Sequence, residues 1–164
     1  MLLTVLSLVF PVVMILAMVA DFRTFEIPNR LPLVLALGYP LAAFTAGFSW
    51  QQILWAFALG GLMLLVAIVL FALRIMGGGD GKLLAAAVPW TGQEQILEFL
   101  LLTTLAGGAL AMALLLYRRL PLASHLAGIA ALRQLHAKKR DIPYAIAIGG
   151  AALIIYPQLP ILNG

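Results

Sequence analysis

Two acids in this chain stand where chemistry would need them. Asp80 sits in Gly77-Gly78-Gly79-Asp80-Gly81-Lys82, a polar break between two apolar stretches, and Asp21 stands at the end of the first apolar run, residues 2–20. An ionisable residue at or near membrane depth is a functional-site hypothesis by default. Two carboxylates that meet cannot both ionise easily. The proton they share lets one take a proton from water while the other donates to a carbonyl oxygen. Such a pair hydrolyses a peptide bond without metal, serine or cysteine. Plainer roles exist for each acid: Asp80 as the N-cap of a following helix, Asp21 as an interfacial partner of Arg23. Transport is the competing function, with Asp80 as an ion or proton site in a small transporter or a membrane assembly scaffold.

The elements that must position these acids are transmembrane helices. The chain is 64% hydrophobic and 10% charged, whereas soluble domains average about 45–50% apolar and about 25% charged. The expected fold is all-α: one polytopic membrane domain over residues 1–164 with about six crossings. The apolar runs are 2–20, 31–48, 53–73, 83–90, 99–117 and 143–162. Gly38 and Pro40 predict a kink in the second. No lysine or arginine precedes the first run, which reads as a retained helix rather than a cleaved leader. The fourth run would rise about 12 Å against a core of about 30 Å. It therefore has to extend over 80–91, sheltered by its neighbours, with the glycine segment dipping into the bilayer as non-helical backbone. Absence of cysteine excludes disulfides, cysteine nucleophiles and thiolate metal sites.

Charge gives the orientation. All ten lysines and arginines fall in three alternate loops: Arg23 and Arg30; Arg74 and Lys82; Arg118, Arg119, Arg133, Lys138, Lys139 and Arg140. The positive-inside rule puts these loops in the cytoplasm and both termini outside. Asp21 and Asp80 then share the cytoplasmic face, while Glu94 and Glu98 lie opposite. The net charge of +4 reports loops near anionic lipid rather than nucleic-acid binding. Leu122, Leu126, Ile129 and Leu132 predict a surface helix on anionic headgroups along the last basic loop. His125 and His136 are too few for a metal site. No metal and no cofactor are expected. Trp50 and Trp55 fit an interfacial belt.

Gly77-Gly78-Gly79-Asp80 resembles the GxGD signature of intramembrane aspartyl proteases. Asp21 followed by Ile27-Pro28-Asn29, Lys82 two places after Asp80, and the closing Ile142-Pro143-Tyr144-Ala145-Ile146-Ala147 are similar to the type IV prepilin peptidases. The closest likeness is to the short, peptidase-only CpaA/TadV-like branch serving Flp-type pili. The resemblance implies removal of a basic leader from prepilin or pseudopilin precursors, at the cytoplasmic face of the bacterial inner membrane. It makes Asp21 and Asp80 catalytic. Gly77, Gly79, Lys82, Glu26, Pro28 and Asn29 become supporting or substrate-binding candidates. Lys82 would contact a substrate acid or an ionised Asp80, Glu26 would orient the dyad or line the groove, and Pro28 and Asn29 would shape the turn. The glycines would admit an extended substrate strand. Bifunctional relatives carry an added cytoplasmic region, often with a cysteine tetrad. This chain has no cysteine and no room for such a region between Asp21 and Leu31, so no methyltransferase activity is expected. Ala20 before Asp21 departs from the Tyr-Asp motif of presenilin-type relatives.

Overall fold

The computed structural model describes residues 2–119 and 142–163. The expected surface helix, His125, His136 and most of the basic residues assigned to anionic lipid lie outside the described residues. Among the described residues there is no strand. The elements are α1 (Leu2–Ser7), α2 (Val9–Thr24), α3 (Arg30–Thr45), α4 (Trp50–Ala72), α5 (Gly78–Arg119), α6 (Ala145–Ile155), a 3-10 turn (Tyr156–Gln158) and α7 (Pro160–Asn163). Leu2–Thr24, Trp50–Ala72, Gly78–Tyr117 and Ala145–Asn163 are long and apolar enough to cross a membrane, and Arg30–Thr45 is a shorter apolar helix. On α4, Leu62, Leu65, Ile68 and Val69 are exposed. A surface of that kind is stable where the surrounding solvent is hydrocarbon. The protein is an all-α membrane protein.

The long α5 is two legs. Gly92 breaks it with φ 67° and ψ 178°. Asp80 and Tyr144 line one cavity, and Tyr144 also packs on Gly107. Residues on either side of Gly92 thus return to the same end of the molecule, so the legs run antiparallel. The first leg, residues 78–91, rises about 21 Å, still short of a bilayer core. Protein shelters it: Leu83, Ala87, Val88 and Trp90 are buried. Trp90 is its anchor. Its indole N–H donates to the Leu35 carbonyl at 3.0 Å, and its ring meets Phe10 and Tyr39 at 5.4 and 5.8 Å. Trp50 and Trp55 are exposed, as an interfacial belt requires.

Two local expectations need correction. Asp21 does not follow the first helix but lies in its last turn, because α2 runs on to Thr24. Arg23 in that turn suits the helix's negative end, and Phe25 stops it in a left-handed cap whose N–H donates to the Asp21 carbonyl. The glycines after Met76 are not extended backbone either. Gly78 and Gly79 begin α5 and Gly81 follows in its first turn; the true break is at residues 73–77. Glycine is a weak helix former, but at Gly79 and Gly81 neighbours crowd the space a Cβ would need. A Cβ on Gly78 would meet the Phe71 ring at 3.4 Å, one on Gly79 the Ile27 Cβ at 3.2 Å, and one on Gly81 the Ala67 Cβ at 2.7 Å.

The last contact can be tested. Gly81→Ala should destabilise the protein by about 1–3 kcal/mol through overpacking. Ala67→Gly in the same chain should recover most of that loss, because it removes the opposing methyl. Thermal unfolding of both variants in detergent checks this; an equal loss in the single and double variants would refute the close approach.

Candidate active site

Asp21 is 5% exposed. Helices α2 and α6 carry it across the structure to the far end of the sequence. Gly149 of α6 leaves room for Met18 of α2, and Met14 and Ala17 are buried in the same core. At the end of this contact the Ala145 N–H, first in α6, donates to Asp21 Oδ2 at 2.9 Å. A helix N-terminus is a natural seat for a carboxylate.

Asp80 is the third residue of α5. Its carboxylate accepts the N–H of Gly77, and the Gly77 carbonyl accepts the Gly81 N–H at 3.1 Å. Asp80 is therefore not the N-cap. It holds the position from which an acid reaches back to the residue that starts the helix. A Cβ on Gly77 would stand 2.7 Å from Asp80 Oδ2, so the sequence needs glycine there for the carboxylate to fold back.

Both aspartates line one cavity of about 1020 Å³ with Phe25, Arg74, Met76, Gly77 and Tyr144. Among the described lining residues Arg74 is the basic one. Phe25 and Arg74 have left-handed backbone, at φ 57° and 59°, the two non-glycine residues of that kind in the described chain. Arg74 sits where a helix normally ends on glycine: its N–H donates to the Phe71 carbonyl, and that of Ile75 to the Leu70 carbonyl. Strained backbone of this kind collects at functional sites. Burial, and then the charge of Asp80, push the Tyr144 phenol above its ordinary range.

The remaining sequence candidates divide. Lys82 Nζ donates to Asn29 Oδ1 at 3.0 Å, joining the turn after α2 to the first turn of α5. Gly79 admits Ile27 of that turn, beside Pro28. Glu26 is exposed and is not among the cavity's lining residues. Its backbone N–H and carbonyl both engage the Thr24 hydroxyl. Glu94 lines a separate cavity of about 720 Å³ with Gln52, Gln93, Gln95 and Gln158. Sequence reasoning passed over Phe25, Arg74 and Tyr144, whose aromatic and basic side chains near an interface look ordinary. The one available signal was Tyr144's place at the start of the last helix, after Pro143.

The type IV leader peptidase family matches residues 8–112, well over half of the chain. The chain belongs to the type IV leader peptidase family. The matched stretch contains both aspartates, the Ile27-Pro28-Asn29 turn and Lys82, and stops before Tyr144. No curated protein and no solved structure matches the chain significantly. A type IV leader peptidase acts on prepilin-type substrates, and this one is built into the membrane.

Within this leader peptidase the Lys82–Asn29 bond ties the segment after Asp21 to the turn that carries Asp80. Both partners are exposed, so the bond contributes little to stability, about 0.5–1.5 kcal/mol. The bond joins the two segments that carry the aspartates, and where such segments form a site small misplacements cost rate. Lys82→Met should lower cleavage of a prepilin-type precursor by about tenfold with little change in melting temperature. Lys82→Arg, which keeps a donor, should recover much of the rate. A Lys82→Met enzyme working at the wild-type rate would show that the bond does not position the site.

Proposed function

We propose that this leader peptidase is an aspartic endopeptidase in which Asp21 and Asp80 form the catalytic pair. The observation that carries the proposal is their meeting in one cavity from separate helices within the matched sequence, each held by a backbone N–H. Water between the two carboxylates loses a proton to one as its oxygen attacks the scissile carbonyl carbon. The other, protonated, gives its proton to the carbonyl oxygen. The resulting hydrate collapses, the C–N bond breaks, and the leaving amine takes a proton back. No step needs a metal or a cofactor.

The substrate in this reading is a prepilin or pseudopilin precursor of the Flp type. Its apolar helix lies in the bilayer and presents the leader junction to the dyad at the cytoplasmic face of the inner membrane. Arg23, Arg30, Arg74 and Lys82, at the helix ends and turns around the dyad, support that orientation by the positive-inside rule, which also leaves both termini outside. A transport role fits less well. Asp21 lies in the last turn of α2 and Asp80 in the first turn of α5, whereas transporter sites sit near the bilayer midplane. Co-expression with candidate prepilin-like precursors, followed by mass measurement of their N-termini, tests the proposal. Loss of the leader only when the active protein is present is expected; precursors left intact across the candidate set would oppose it.

A further inference from the structure

The reaction proposed above develops charge on the scissile carbonyl oxygen, and the two aspartates already have the water and the shared proton to manage. A fixed neutral donor beside that oxygen would lower the barrier further. Tyr144 has the attributes of one. It lines the cavity with Asp21 and Asp80. Its neighbour Ala145 holds Asp21 through the backbone, so its own main chain is tied to the dyad. Its ring edge abuts Gly107 on the second leg of α5, where a Cβ would collide with Cε2, Cζ and the hydroxyl oxygen. Among the described residues no hydrogen bond occupies that hydroxyl.

We propose that Tyr144 is a third catalytic residue, whose hydroxyl donates a hydrogen bond to the scissile carbonyl oxygen as water adds, with Gly107 fixing the ring in place. This rests on the aspartic peptidase reading. The phenol keeps its proton throughout: the proton leaving water goes to one aspartate, and the one reaching the carbonyl oxygen comes from the other. The surroundings that hold the phenol above its ordinary range favour its protonated, donating form. Gly107 is a positioning residue, acting through the ring. The far cavity lined by Gln52 and Glu94 brings no second acid and no comparable donor to the dyad.

The test uses the full-length protein in lipid, with wild type, Tyr144→Phe, Gly107→Ala, their double variant and Asp80→Asn, against a prepilin-type precursor. Phenylalanine keeps the ring packing and removes only the hydroxyl. Tyr144→Phe should lower kcat by about 10²-fold, as loss of one such donor does, with KM nearly unchanged and melting temperature preserved. Gly107→Ala should lower kcat similarly by displacing the ring. The double variant should be little worse than Tyr144→Phe alone, because both changes remove the same interaction. A Tyr144→Phe enzyme with wild-type kcat would overturn the assignment. So would one altered in KM alone, which would mean binding rather than catalysis. The two readings fail differently: cleavage by Asp80→Asn would sink the aspartic mechanism, whereas an active wild type, an inactive Asp80→Asn and an unaffected Tyr144→Phe would remove only Tyr144.

Discussion

Asp21→Asn and Asp80→Asn should each abolish leader removal, by about 10⁴-fold or more, while the protein still inserts and melts normally. Asparagine is the informative replacement because it keeps an oxygen where the structure uses one. At position 21 that oxygen still accepts the Ala145 N–H, and at position 80 it still accepts the Gly77 N–H. What disappears is the ability to take or give a proton. Alanine would do more. Asp21→Ala would orphan a buried donor at the start of α6, at a cost of about 1–3 kcal/mol, and would blur lost chemistry with lost structure. Precursor turnover and thermal unfolding measured on the same preparations separate the two. An Asn variant with residual activity near wild type would show that its aspartate is not part of the reaction.

Gly77→Ala should be among the most damaging changes outside the aspartates. The added methyl would stand 2.7 Å from Asp80 Oδ2, inside any tolerable contact. The carboxylate would have to swing away from the Gly77 N–H or the turn would have to open, and either movement displaces an acid whose position sets the rate. A loss of about 10²-fold in cleavage is expected from such a displacement. The loss should appear in kcat, with little change in melting temperature, because Gly77 is exposed and precedes the helix. Gly78→Ala is the natural control: the nearest atom to its Cβ is a Phe71 ring carbon at 3.4 Å, an ordinary contact. If both alanine variants worked equally well, the fold-back of Asp80 onto Gly77 would not matter to the reaction.

Much of the fold could be read in advance because a membrane reduces it to a few rules. Apolar runs and charged loops placed the helices and brought Asp21 and Asp80 to one end. What the sequence hid was local. The first helix continues through Asp21 because nothing before Phe25 stops it, so the acid lies inside the last turn. The glycine run is weak helix material by type, yet it is helical from Gly78, and Ile27 and Ala67 crowd the space side chains would take at Gly79 and Gly81. Those are tertiary contacts, invisible in a linear pattern. The fourth apolar run reads as short and sheltered, and its indole anchor on the Leu35 carbonyl shows how the protein shelters it. Lys82, which the sequence offers to a substrate acid or to Asp80, donates to Asn29 in the structure, a contact across 53 residues that no linear pattern shows. Tyr144 escaped notice because an aromatic at a membrane boundary is commonplace, and its position depends on Gly107, far away in sequence.

The most direct measurement is a single-turnover reaction of purified protein in lipid with a prepilin-type precursor in oxygen-18 water, read by mass spectrometry of both products. The account predicts that the wild type releases a leader whose new carboxyl carries oxygen-18, and that Asp21→Asn and Asp80→Asn leave the precursor at its full mass. Cleavage by either Asn variant at a rate approaching wild type would contradict the two-aspartate mechanism.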